Sequence, residues 1–365
     1  MIDKKLRVLL FIDCLNAGGA QRQLVLLAKL LLKQNINVEF LTYNKDDFFK
    51  EDVQKLGITI NEFNDSTKIK KFFRLRKFLK TSTYDIVISF LSTPNLICEI
   101  SNITQNKWKL IVSERNQNFP RFYIKGLFHY FSDRVVLNSN SSFQGLTKKI
   151  GISKKRCRVI HNGFNPKLFH FKNNSYQNKK IVVVAKYSQQ KNIFKLIDSI
   201  ERSKKTLRER NYSIHWYGDL TKNKEGNYDV YENAKQFIAK GNLNDLIILH
   251  KRSHELCEIY NKSDALLLPS TYEGLPNVVL EGMACKLPIL MSKVSDFDLL
   301  VKNNQNGFLF DPTSSKEMSN TLEKFITLEP KKKKSMGEIS YKILNKNFSN
   351  ENFVKKYMTL FEEIL

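Results

Sequence analysis

The chain has little sulfur to work with. Its 365 residues hold five cysteines, Cys14, Cys98, Cys157, Cys257 and Cys285, an odd number and widely scattered. No two have the spacing of a metal-ligand pair, which argues against a zinc module and for a reducing compartment. Long apolar runs are missing too. The longest, 24–32, is broken by Lys29 and falls well short of the roughly 20 residues a membrane-crossing helix needs. Near the start, Lys4, Lys5 and Arg7 precede only five apolar residues before Asp13, too few for a secretory leader. The expectation is a cytoplasmic protein, or one seated peripherally on the inner face of the cytoplasmic membrane. Acidic residues are scarce: 36 Asp and Glu stand against 60 Lys and Arg, a net charge of +24. That imbalance favours anionic partners (nucleotides, nucleic acid or acidic lipid) without choosing among them. A GxGxxG fingerprint is absent, so a dinucleotide site lacks support. No internal repeat of short period occurs.

What the chain does have is a regular alternation. Its length suits two domains, and its 42% hydrophobic and 26% charged residues are those of a globular protein. Segments at 5–13, 37–43, 59–63, 85–91, 110–114, 134–138 and 158–161, most of them apolar, read as strands, separated by helical patterns such as 20–33 and 68–80. A second series occupies 181–186, 212–218, 246–250, 265–269 and 288–292. Strands apolar throughout, alternating with helices, imply parallel sheets covered on both faces. The expected architecture is α/β, two doubly wound domains at 1–165 and 181–345. The Asn-rich stretch 166–180 is expected as a linker, and 346–365 as a C-terminal helix packing back on the first domain. Doubly wound sheets bind ligands beyond the carboxyl ends of their strands, so the site is expected there, in a cleft between the domains.

The most informative stretch is 270–290, STYEGLPNVVLEGMACKLPIL, directly after the strand 265–269. Pro276 suits the first turn of a helix, where its missing N–H is no loss. The amides around Leu275, Asn277 and Val278 would then point out of the helix's positive end, an anion site. Glu273 lies in the loop at that mouth, and Glu281 about one turn further along. A turn with two carboxylates and several amides suits a ligand bearing both phosphates and hydroxyls. Four other strand ends carry polar groups. Gly18 and Gly19, after the first strand, let backbone approach a ligand, although a tight turn alone accounts for one of them. Lys186 ends one strand and Gln190-Lys191-Asn192 opens the next helix, so two cations are placed to neutralise a diphosphate unless both are simply solvated. His161-Asn162-Gly163 marks a close approach or a turn. Ser113-Glu114-Arg115-Asn116 either binds an acceptor or forms an internal salt bridge. Two basic, aromatic stretches, from Lys68 to Lys80 and from Arg121 to Phe131, have the composition of a membrane-interface surface or of ordinary sheet-covering segments. Neither carries an RNP, zinc or helix-turn-helix signature of nucleic-acid binding.

In order, Gly18-Gly19-Ala20-Gln21-Arg22, His161-Asn162-Gly163-Phe164, Lys186 with Gln190-Lys191-Asn192, and Glu273-Gly274-Leu275-Pro276-Asn277 with Glu281 resemble the retaining GT-B glycosyltransferases of family 4, the glycosyl transferases group 1. The resemblance spans nearly the whole chain and is most specific in its C-terminal block. It implies transfer of a sugar from a nucleotide diphosphate sugar, a UDP-sugar, to a glycan or lipid-linked acceptor, with retention and without a metal or other cofactor. Surface polysaccharide, lipopolysaccharide or capsule assembly is the implied setting. Glu273, Lys186 and Lys191 would carry the chemistry. The donor would be bound by these with Gly18, Gly19, Gly163, His250, Gly274, Leu275, Pro276, Asn277 and Glu281, and the acceptor by Glu114, Arg115 and Asn116. The chain departs from the family in having Lys186 where Arg is usual, and in having no His in the segment 113–116, where many members place one near the reacting carbon. Two other readings stand beside this one. A glycoside hydrolase needs carboxylates on opposite sides of a bond, about 5–9.5 Å apart. A non-catalytic protein binding anionic lipid or nucleic acid would tolerate loss of both glutamates and weaken steeply with salt.

Overall fold

The computed structural model describes residues 5–64, 67–103, 107–115, 127–164, 166–223 and 225–365. The chain divides into two units, Met1–Gly163 with Asn350–Leu365, and Phe164–Ser349.

The first unit runs β1 (Arg7–Phe11), α1 (Gly19–Leu32), β2 (Asn37–Thr42), β3 (Thr59–Glu62), α2 (Lys68–Thr81), β4 (Ile86–Phe90), α3 (Ser92–Asn102), β5 (Lys109–Glu114), β6 (Arg134–Leu137) and β7 (Cys157–Val159). The seven strands form one parallel sheet in the order β3-β2-β1-β4-β5-β6-β7. Alternate residues of β1 and β4 enter cores on opposite faces, Val8 and Ile86 on one, Leu9 and Val87 on the other. That is why these strands read as continuous apolar runs. Helix α1 buries Leu24, Leu27, Ala28 and Leu31, the i, i+3, i+4, i+7 stripe of a sheet-covering helix.

The second unit runs β8 (Lys180–Val184), α4 (Ile193–Glu209), β9 (Ser213–Gly218), α5 (Asp229–Lys240), β10 (Ile247–Lys251), α6 (Leu256–Asn261), β11 (Ala265–Leu268), α7 (Asn277–Ala284), β12 (Ile289–Ser292), β13 (Gly307–Phe310), α8 (Ser315–Ile326) and α9 (Pro330–Asn347). Its sheet is parallel, in the order β10-β9-β8-β11-β12-β13. Strand β13 was not expected from the sequence. It is a four-residue edge strand, too short for a periodicity to register. Its Gly307 lies so close to β12 that a Cβ would sit 1.7 Å from the Ile289 carbonyl oxygen. The last helix, α10 (Asn350–Glu362), belongs to the first unit, where Phe353, Val354, Tyr357, Leu360 and Phe361 join the core of β1 and α1.

The stretch 166–180 is not a free linker. It is docked on the second unit by the asparagines that made it look like a loop. Asn174 Nδ2 donates to the Ser263 carbonyl at 2.5 Å, and the Asn178 amide donates to Asp264 Oδ1 at 2.9 Å. Tyr176 is buried and donates its hydroxyl to the Lys286 carbonyl at 2.9 Å, while Phe169 packs on Tyr260. A nearby knot is fully internal. Lys333, from the basic run of α9, donates to the Tyr212 hydroxyl at 2.7 Å, which donates to Asp264 Oδ2 at 2.8 Å. Pairing of this kind is what lets a lysine lie buried.

Candidate functional site

In a doubly wound sheet the crevice opens where the strand order reverses. In the second unit that point lies between β8, which continues outward to β9 and β10, and β11, on its other side. The segments leaving β8 and β11 are the two that carry the expected site residues, and they are stitched together. The Thr271 amide donates to the Gln190 carbonyl at 2.9 Å, and Gln190 Nε2 donates to the Tyr272 carbonyl at 2.8 Å. Asn192 adopts a left-handed conformation, φ 63°, and its Nδ2 donates to the carbonyls of Pro269 and Pro312 at 3.0 and 2.8 Å. Within this frame Lys191 Nζ meets Glu273 Oε1 at 2.5 Å, with both side chains largely buried. Lys186 is exposed, two residues beyond the end of β8.

Helix α7 starts at Asn277, with Pro276 as its N-cap, one position earlier than a first-turn proline. Proline has no side-chain oxygen with which to cap the helix amides. The Gly274 carbonyl accepts a short hydrogen bond from Ser295, which fixes the loop ahead of the helix. Glu281 lies inside α7, only 3% exposed, and its Oε2 accepts from the Tyr260 hydroxyl at 3.0 Å. The two glutamates therefore sit in different settings: Glu273 against a cation, Glu281 against a hydroxyl on α6. Toward the sheet edge, His250 stacks on Tyr217, ring centroids 4.2 Å apart, and its Nε2 lies 3.0 Å from His215 Nδ1. Burial lowers the pKa of both imidazoles, aided by the charge of Lys180. His215, which also feels His250, falls to about 4. His215 is therefore uncharged at neutral pH.

In the first unit the reversal lies between β1 and β4. Gly18 and Gly19 follow β1, with Gly18 as N-cap of α1 and its amide donating to Asn16 Oδ1 at 2.9 Å. A Cβ on Gly18 would lie 2.2 Å from Gln21 Oε1 and 2.8 Å from Asn16 Oδ1, so a larger residue here would make those two side chains shift. Across the reversal, Leu91 turns the chain into α3 with φ 77°, a conformation that L-residues rarely hold.

Three expectations change here. Gly163 gives both its backbone polar groups to Gln23, N–H to Oε1 at 3.0 Å and carbonyl from Nε2 at 2.8 Å, and a Cβ would crowd Asn350, Leu26 and Phe353. Close packing and the Gln23 hydrogen bonds account for a glycine here. Arg115, expected at the acceptor, is 7% exposed. It donates to Asn162 Oδ1 at 2.6 Å and to the Tyr357 hydroxyl at 3.4 Å, with its guanidinium 4.0 Å above the Phe90 ring. Glu114 is buried as well, accepting from Asn95 Nδ2 at 3.0 Å and Ser92 Oγ at 3.4 Å. This segment is an internal network, and Asn116 lies outside the described residues.

Sequence reasoning missed a histidine. His129 Nδ1 lies 2.5 Å from Glu99 Oε1 and its Nε2 3.9 Å from Glu114 Oε1, all three residues buried. Burial opposes the imidazolium, but the hydrogen bond and charge of Glu99, with Glu114 behind, raise its pKa above the ordinary value. Tyr260, the partner of Glu281, was missed too. Neither has a local signal, since each meets its carboxylate only through tertiary packing.

Comparison with known proteins gives concordant matches. Residues 17–168 match the Glycosyltransferase Family 4 model, and residues 166–343 match the Glycosyl transferases group 1 model. A relative in Campylobacter jejuni is 25% identical over 379 residues, covering 98% of this chain and 99% of its own length. It is named as the GalNAc-alpha-(1->4)-GalNAc-alpha-(1->3)-diNAcBac-PP-undecaprenol alpha-1,4-N-acetyl-D-galactosaminyltransferase. Among solved structures, Anabaena HepE in complex with UDP and glucose superposes with a TM-score of 0.84 at 17% identity, covering 98% of this chain and all of that one. A glycosyltransferase from Rickettsia africae superposes with a TM-score of 0.81 at 18% identity, covering 99% of this chain and 98% of that one.

Proposed function

Because the chain belongs to the family 4, group 1 glycosyltransferases of GT-B fold, we propose that it moves a sugar with retention from a UDP-sugar to a glycan or lipid-linked saccharide in surface polysaccharide, lipopolysaccharide or capsule assembly. The observation that carries this reading is the Lys191–Glu273 pair at the β8/β11 reversal. Lys191 has three ammonium donors and Glu273 engages one face of it, which leaves donors for a diphosphate. Exposed Lys186 supplies a second cation. As the bond to the anomeric carbon breaks, negative charge grows on the leaving diphosphate. The lysines, with the backbone from Gly274 through Leu275 and Pro276 to Asn277, stabilise that charge more than they stabilise the intact donor, and no metal is needed. Glu273 then holds sugar hydroxyls and Glu281 the ribose. His250 flanks the donor, while Gly18 and Gly19 border the acceptor. Support for the donor and acceptor classes comes from the UDP and glucose of the HepE complex and from the undecaprenol-linked substrate in the name of the Campylobacter jejuni relative.

The test is a thermal-shift panel of UDP-, GDP- and ADP-sugars. A ligand at about 100 times its Kd stabilises the folded state by ~2.7 kcal/mol, which for units of this size shifts Tm by about 5–10 °C. We expect that shift from a UDP-sugar only. No shift with any nucleotide sugar would overturn the assignment.

A peripheral seat on the membrane is part of the proposal. Among the described residues no helix is long and apolar enough to cross one. Helix α2 buries Leu75 and Leu79 but leaves Ile69 and Phe73 72% and 59% exposed amid seven Lys and Arg. Phe72 packs against the core, so it serves the sheet. Of the stretch from Arg121 to Phe131, residues 121–126 lie outside the described residues, while Tyr130 and Phe131 are exposed. Replacing Ile69 and Phe73 together by Ser is expected to weaken sedimentation with anionic vesicles roughly tenfold, the effect of losing two partly inserted side chains. Unchanged sedimentation would leave α2 as a sheet-covering helix only.

A further inference from the structure

We propose that Cys257 and Cys285 are a redox pair that closes to a reversible disulfide, tying α6 to the end of α7. Their sulfurs share two neighbours. Each lies 3.6 Å from the His170 carbonyl oxygen, and Asn261 Nδ2 is 3.6 Å from Cys257 Sγ and 3.8 Å from Cys285 Sγ. The nearness of Cys257 also helps to raise the pKa of the Cys285 thiol. The register makes the contact systematic. Moving from Cys257 to Tyr260 goes forward three residues on α6, while moving from Cys285 to Glu281 goes back four on α7. Cys257–Cys285 and Tyr260–Glu281 are thus successive rungs between two antiparallel segments, one helical turn apart.

Exposure divides the roles. Cys257 is half-exposed and Cys285 buried. Burial pushes the Cys285 thiol far above its ordinary pKa, so it is protected from reagents in solution. The oxidant is a small-molecule disulfide, RSSR. The Cys257 thiolate attacks one sulfur and expels RS⁻, which takes up the proton Cys257 gave to water. The Cys285 sulfur then attacks Cys257 Sγ, its proton leaving with the second RS⁻ as RSH. One RSSR and two cysteine thiols become one protein disulfide and two RSH. A disulfide holds its sulfurs ~2.0 Å apart, well inside thiol contact distance, so closure draws α6 toward α7 beside the Tyr260–Glu281 rung. The functional consequence rests on the role proposed for Glu281: displacement of its carboxylate weakens the hold on the donor.

The full chain would be equilibrated with oxidised glutathione, its free thiols alkylated, and the digest analysed by mass spectrometry. A Cys257–Cys285 cross-linked peptide that dithiothreitol removes is expected, together with a donor KM raised about tenfold and restored by the reductant. Cys257→Ser is expected to show the same KM in both conditions. Glutathione adducts without a cross-link, or no reaction at Cys257, would overturn the pair. A cross-link with unchanged KM would overturn its coupling to Glu281. If the chain transfers no sugar, the donor assignment fails while the cross-linked peptide still decides the disulfide.

Discussion

Lys191→Met is expected to lower kcat/KM for sugar transfer by about 10²–10³, the ~2.7–4 kcal/mol lost when one preorganised donor to a developing charge is removed. Methionine keeps the length and most of the volume of lysine, so the change isolates the ammonium. A second effect follows from the pair itself. Glu273 has a side chain only 10% exposed, and without Lys191 it loses its counter-charge. Stability should fall by about 1–3 kcal/mol, below the ~3–5 kcal/mol of a fully buried pair because Lys191 keeps 17% of its side-chain surface. The two effects separate in the double variant Lys191→Met with Glu273→Gln. A neutral amide restores stability in urea melts, while transfer stays low. Wild-type kcat/KM in Lys191→Met would remove this lysine from the mechanism.

Glu281→Ala is expected to raise the donor KM by about 10–150-fold, matching the ~1.5–3 kcal/mol of a hydrogen bond to a charged group. Burial makes the fold the first concern, since the Tyr260 hydroxyl loses its acceptor. Glu281→Gln addresses this by keeping an oxygen for Tyr260 and removing only the charge. Both variants should hold a Tm within a few degrees of the parent, and the glutamine variant should lie between parent and alanine in KM. Parent-like transfer by Glu281→Ala, measured with the donor found in the thermal-shift panel, would defeat the role given to this residue.

The backbone plan was legible because it depends on local pattern. Strands such as Ile86–Phe90 and Ala265–Leu268 are apolar at every position but Ser89, and only a sheet covered on both faces asks for that. The loops after β8 and β11 stood out by their residues, lysines after one strand and a glutamate with Gly-Leu-Pro after the other, and the sheet order puts both strand ends at the reversal. What could not be read depends on which side chains meet across that frame. Arg115 looks like a ligand-binding arginine at a strand end, yet its partners Asn162 and Tyr357 lie 47 and 242 residues away. His129 is likewise separated by 30 residues from Glu99, and no spacing rule joins them. Asparagines 174 and 178 were misread because composition reports that a residue favours loops, not whether the loop is docked.

The place of α10 bears on how the protein is made. Residues 350–365 leave the ribosome only after both sheets have been synthesised, yet they supply Phe353, Tyr357, Leu360, Phe361 and Ile364 to the core of the first unit. Domains usually finish in the order of translation. Here the N-terminal unit is the last to be complete. Throughout synthesis of the second unit, the nascent chain carries an open apolar face on α1, and Arg115 waits for its Tyr357 partner.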